Sequence, residues 1–119
     1  MIEVESIIKI NRTFYCIKGT AILHREDGPA VIWEDGQKEW FYKGARHRLD
    51  GPAVIHSDRT EEWWVNGRLH REDGPAIIYG DGDLEWYLDY NILSKEAWFE
   101  ALTEEQKVKA LYSEYFIRD

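Results

Sequence analysis

The sequence predicts a mainly β fold: a single-layer, twisted antiparallel sheet of tandem β-hairpin repeats with a short C-terminal α-helical cap. Three observations predict it. The segment His24-Arg25-Glu26-Asp27-Gly28-Pro29-Ala30 returns at 47–53 and at 70–76, a spacing of 23 residues, and all 3 Pro of the chain occupy this one repeat position. Each copy is followed by two short apolar or aromatic runs around a turn, the pattern of a hairpin. The period then fails at residue 93, which is Leu rather than His, and the composition changes to that of amphipathic helices.

The elements follow in chain order. Residues 7–23 read as a degenerate first hairpin, with Ile7 to Ile10, a turn at Asn11-Arg12, and a second run from Phe14 to Gly19. Full units span 24–46, 47–69 and 70–92. Their first strands are Val31-Ile32-Trp33, Val54-Ile55-His56 and Ile77-Ile78-Tyr79. The turns after them hold Asp35-Gly36, Asp58-Arg59 and Asp81-Gly82. Asp-Gly between apolar runs is a strong hairpin signal. The second strands carry Glu39-Trp40, Glu62-Trp63 and Glu85-Trp86 in register, and further turns follow at Lys43-Gly44 and Asn66-Gly67. Proline at the mouth of a first strand is tolerated, because it removes a ladder donor only where the strand begins. The repeat sheet thus occupies 1–92, and 93–119 forms its cap within the same domain. There Ser94 is an N-cap with Leu93 and Trp98 placed for a hydrophobic staple, and Thr103 with Gln106 forms a capping box. The two helices are expected over 94–102 and 103–115.

Hairpins of this length with Gly-x-x-His and Asp-Gly resemble MORN repeats, whose unit is also 23 residues long. The match runs through Trp40-Phe41-Tyr42-Lys43-Gly44-Ala45-Arg46-His47 and Asp50-Gly51. Where the usual unit has Gly-x-Gly after the His, this chain has Asp-Gly-Pro-Ala. That HR-x-DGPA variety is similar to repeat proteins of bacteriophages and large viruses. The resemblance covers 24–92 well and 7–23 weakly. It implies a protein-binding module and, in a phage setting, an inhibitor of a host defence or regulatory protein.

Three rows of residues could carry chemistry. His24, His47 and His70 stand two strands apart, about 9–10 Å at ordinary strand spacing, so a regular sheet cannot gather them on one metal ion, whose ligands lie about 2 Å away. They either pack in the turns, bonding backbone carbonyls, or line a ladder with Arg25, Arg48 and Arg71 for a nucleotide or other small anion. The same Arg residues can instead pair with Asp27, Asp50 and Asp73 to fix their own loops. On the second strands, period-2 alternation puts Trp40, Trp63 and Trp86 on a core face. It puts Phe41, Trp64 and Tyr87 beside Glu39, Glu62 and Glu85 on the other. The aromatic–Glu row is either covered by the helical cap or exposed as a surface for a protein partner, since aromatics dominate interface hot spots. Exposed edges or the same aromatic row could also join copies into a homo-oligomeric scaffold.

Charge and composition narrow the function classes. The chain of 119 residues has 15 Lys plus Arg against 23 Asp plus Glu, a net charge of −8, with 6 Trp, 7 Tyr and 4 Phe. The acid is local. In 70–92, Arg71 is the only basic residue against Glu72, Asp73, Asp81, Asp83, Glu85 and Asp89. Duplex DNA is disfavoured as a partner, because phosphate binding is built on Lys and Arg. A protein with a basic surface is favoured, steered by Asp81, Asp83 and the Glu row. No membrane-spanning run appears, the start lacks a secretory-signal pattern, and the single Cys16 fits a reducing cytoplasm (host cytosol if phage-encoded). No nucleophile elbow, phosphate loop, dinucleotide fingerprint or Cys-pair zinc pattern is present. The expectation is a non-enzymatic protein with no cofactor.

Overall fold

The computed structural model describes residues 2–116. Its strands are β1 (Val4–Ile8), β2 (Arg12–Ile17), β3 (Val31–Trp33), β4 (Lys38–Glu39), β5 (Phe41–Tyr42), β6 (Ala45–Arg46) and β7 (Val54–Ile55). They continue with β8 (Glu61–Glu62), β9 (Trp64–Val65), β10 (Arg68–Leu69), β11 (Ile77–Ile78), β12 (Leu84–Leu88) and β13 (Asn91–Leu93). Two helices, α1 (Lys95–Ala101) and α2 (Glu104–Leu111), close the chain. Nine strands form one antiparallel sheet in the order β1-β2-β3-β4-β7-β8-β11-β12-β13, while β5-β6 and β9-β10 are separate two-stranded ribbons. The expected mainly β sheet of hairpins in series, with helices at its C-terminal end, is the architecture observed. No helix among the described residues is long and apolar enough to cross a membrane.

The alternation predicts one continuous second strand per unit, but the strand bends at Trp40 and at Trp63. Up to Glu39 it pairs with β3 and β7. The Trp40 N–H then donates to the Ala53 carbonyl, 2.7 Å away, and Phe41–Tyr42 turns aside to pair with Ala45–Arg46. The loop of the same unit donates to the departing strand, Arg25 N–H to the Phe41 carbonyl. The second unit repeats this with Arg48 N–H on the Trp64 carbonyl, and in the third unit Arg71 N–H donates to the Tyr87 carbonyl although the strand stays continuous.

Each loop is fixed by one arginine. Arg48 donates from Nε to Asp50 (3.0 Å) and from a terminal nitrogen to the Pro52 carbonyl (3.0 Å), and its Cζ lies 4.0 Å over the Trp40 ring. Arg25 does the same with Asp27, the Pro29 carbonyl and Tyr15, and Arg71 with Asp73, the Pro75 carbonyl and Trp63. Glycine leaves room beneath the guanidinium: a Cβ at Gly51 would sit 2.7 Å from Arg48 Cζ, so the guanidinium would have to shift. The Trp row is therefore not a dry core along its length. Trp40 and Trp63 are half-buried beneath charged planes, and only Trp86 is buried.

The cap closes that last position. Trp98 of α1, fully buried, packs on Trp86 with ring centroids 4.7 Å apart, and its indole N–H donates to the Arg71 carbonyl at 2.8 Å. Ser94 caps α1 and Thr103 with Gln106 forms the capping box of α2, as the sequence predicts. The second helix stops at Leu111 rather than 115. Residues 112–116 turn back, and Tyr115 and Phe116 reach Trp86 with centroids 6.0 and 6.2 Å away.

Candidate binding face

Cross-strand register builds the candidate face. Phe14 opposes Val31, Val31 opposes Glu39, Glu39 opposes Val54, Val54 opposes Glu62, Glu62 opposes Ile77, and Ile77 opposes Glu85. Directly opposed residues share a face, so apolar side chains and carboxylates alternate across the sheet. The helices do not cover this row. Their hydrophobic cluster takes in Trp86, Leu88 and Leu93 on the β12–β13 side and contains none of Glu85, Tyr87 or Ile92.

The three glutamates are not free surface acids. Glu39 is buried and accepts from the Trp33 indole (3.0 Å), the Gln37 amide (3.3 Å) and the Arg46 guanidinium (2.9 Å). Burial raises its carboxyl, but those hydrogen bonds and the Arg46 charge more than offset that and hold it below its ordinary value. Glu62 accepts from the Trp64 indole at 2.7 Å and lies 2.6 Å from His56 Nε2. Glu85 accepts from the Tyr87 hydroxyl at 2.9 Å. Burial, that hydrogen bond and the Glu85 charge push the Tyr87 phenol up to about 12, and burial with Glu85 raises Tyr79 as well. The carboxylates thus act as a hydrogen-bonded spine that orients aromatic rings.

Phe41, Trp64 and Tyr87 are half-buried along this spine, and Tyr79, Tyr90 and Ile92 extend it as exposed side chains at the third unit. At the N-terminal end the face opens into a groove of about 670 Å³, whose lining includes Phe14, Val31, Trp33 and Phe41 together with Arg12 and Glu39. Arg12 stands 5.0 Å from both the Phe14 and Trp33 rings, and Arg46 stands 5.8 Å from Phe41 and 5.2 Å from Trp64. Asp81 and Asp83 lie on the exposed β11–β12 hairpin tip, where Asp81 Oδ1 accepts the Asp83 N–H at 3.0 Å.

The histidines sit elsewhere, and they bond amides where carbonyls were expected. Nδ1 of His24, His47 and His70 accepts the backbone N–H of Lys43 (2.8 Å), Asn66 (3.0 Å) and Asp89 (2.9 Å). Those three residues are left-handed, with φ of 49°, 50° and 47°, and each opens a tight hairpin turn. Every His thus caps the exposed donor of a turn in its own unit. Its neighbour Arg is committed to an Asp, a Pro carbonyl and an aromatic ring. Among the described residues no three potential metal ligands converge. Cys16 is buried, and burial together with the Glu5 charge raises its thiol.

Trp33, His56, Tyr79, Arg12 and Arg46 belong to this face although the sequence motifs do not single them out. Their signal was parity: Trp33 is two residues from Val31, as Glu39 is two from Gln37, so the donors and the carboxylates share one side. The fold and the face together define a mainly β protein of antiparallel hairpins in series, closed by two helices and carrying a carboxylate–aromatic row across one side of its sheet. No protein-family model, curated protein or solved structure matches the chain.

Proposed function

We propose that this protein is a non-enzymatic binding module that engages a protein partner with a basic surface through the aromatic–Glu face. The observation that supports this most is the uncovered row: the helices pack on Trp86 and leave Glu85, Tyr87 and Ile92 outside their cluster. Aromatic side chains held rigidly by hydrogen bonds lose little entropy on binding and dominate interface energetics. The exposed Asp81 and Asp83 add long-range steering toward a basic partner. In a phage setting, which the HR-x-DGPA resemblance implies, such a module would act by blocking a host defence or regulatory protein. The competing use of the His-Arg rows as an anion sponge draws less support, because each Arg already serves its loop and Glu26, Asp27, Glu72 and Asp73 surround the rows.

The test is capture of a partner by the immobilised protein from host lysate, followed by its identification. Trp64→Ala combined with Glu85→Lys is expected to abolish capture while circular dichroism and thermal midpoint show an intact fold. A Lys38→Glu, Glu61→Lys pair on the opposite face is expected to leave capture unchanged. Equal capture by wild type and the Trp64/Glu85 variant overturns the reading.

A further inference from the structure

The repeat itself shows what the third unit lacks. In the first unit the carboxylate of the row receives a guanidinium: Arg46 reaches Glu39 at 2.9 Å while lying against Phe41 and Trp64. Arg46 opposes Phe41 in the β5–β6 ribbon. One unit on, Leu69 opposes Trp64, and Glu62 takes His56 as its partner instead. Another unit on, Ile92 opposes Tyr87 in the same register, and it is 59 % exposed. Glu85 therefore has the tyrosine hydroxyl but no cation, and among the described residues no Lys, Arg or His forms an ion pair with it. The same carboxylate passes from guanidinium to imidazole to no cationic partner along the chain.

The surroundings of Glu85 suit that missing cation. Tyr87 stands where Phe41 stands beside Arg46, and Tyr79 stands where Trp33 donates to Glu39. Where a fourth unit would supply the second ring, as Trp64 does for Arg46, the chain instead turns into the helical cap. Arg71, the one Arg or Lys of residues 70–92, is held in its own loop by Asp73 and the Pro75 carbonyl, so this unit has no arginine or lysine to offer Glu85. A flat, weakly hydrated guanidinium satisfies both demands of such a place, a charge-assisted bond to the carboxylate and a face laid on an aromatic ring, better than an ammonium does.

We infer that Glu85, with Tyr87 and Tyr79, is a docking point for an arginine side chain of the partner protein, which takes the place that Arg46 holds on Glu39. This rests on the binding-face reading above and names the chemistry at one end of it.

Blocked arginine amide and its neutral citrulline analogue serve as probes, titrated into the full chain while backbone amide resonances near Glu85 are followed by NMR. Arginine is expected to bind at least about tenfold more tightly than citrulline, the factor for a difference of about 1.4 kcal/mol. Glu85→Gln is expected to remove the difference. Ile92→Arg is the sharper variant: it places a guanidinium opposite Tyr87 from within the chain, and is expected to raise the thermal midpoint and abolish probe binding. Equal binding of the two probes, or arginine binding that survives Ile92→Arg, overturns the inference. Loss of partner capture in the Trp64/Glu85 variant but not in Ile92→Arg would leave the binding face standing and sink the arginine site alone.

Discussion

Trp40 and Trp63 on one hand, and Trp86 on the other, hold the same position in successive units, yet they are covered in opposite ways. The inner two lie half-buried beneath Arg48 and Arg71, with the guanidinium carbons 4.0 and 3.8 Å from the rings. The last is buried against Trp98, Tyr115 and Phe116, with Lys95 Nζ 5.7 Å away as its one cation contact among the described residues. An interior ring is covered by the loop of the next unit, whose Arg also needs an Asp and a proline carbonyl. Where no further unit follows, an amphipathic helix supplies an aromatic ring instead. The chain thus ends its array by exchanging a polar stack for a small hydrophobic core, which answers the need of repeat arrays for a terminal cap.

The difference predicts unequal costs when the covers are removed. Trp98→Ala is expected to be the most damaging, at about 3–5 kcal/mol for loss of a fully buried indole, and the Arg71 carbonyl also loses its donor. Urea unfolding monitored by helical circular dichroism checks it; a loss below about 1 kcal/mol would mean the cap is dispensable. Arg48→Ala is expected to cost about 2–3 kcal/mol, from two charge-assisted hydrogen bonds and the contact with Trp40. Arg48→Lys is expected to recover less than half of that, because an ammonium cannot reach Asp50 and the Pro52 carbonyl from one plane. If lysine restores full stability, charge alone holds the loop and the planar stack contributes nothing.

The repeat made most of the fold legible. A fixed spacing placed Asp-Gly turns, apolar runs and Pro-bearing loops in register, so the hairpins and their order followed from local chemistry. The capping residues of both helices were equally readable, because Ser94, Thr103 and Gln106 act within their own turns. What escaped depends on neighbours distant in sequence. Alternation runs unbroken through Trp40, yet the strand bends there: the Trp40 N–H donates to the Ala53 carbonyl and Phe41 leaves to pair with Arg46. The histidines were expected to donate to carbonyls; they accept from amides because a left-handed residue 19 positions ahead presents its N–H. Within the face, the Glu and aromatic rows were visible as a pattern. Their bonding to Trp33, His56 and Arg46 was not, since it required knowing which strand opposes which.

Glu39 and Glu85 extend the contrast to the other face and give the smallest effect, one readable only through pH. Glu39 is held below its ordinary carboxyl value in the folded chain, so the unfolded chain binds its proton first as pH falls. Its contribution is complete above the unfolded value of about 4.3, and it disappears as pH drops through the lower folded value. Glu39→Gln is therefore expected to lose stability near neutrality, where the carboxylate accepts from Trp33 and pairs with Arg46. Its deficit relative to wild type should shrink as pH falls below that range. Urea midpoints measured at a series of pH values give the difference directly. A deficit that stays constant through the acid range would mean that the charge on Glu39 does not contribute, and that its hydrogen bonds alone hold Arg46 in place.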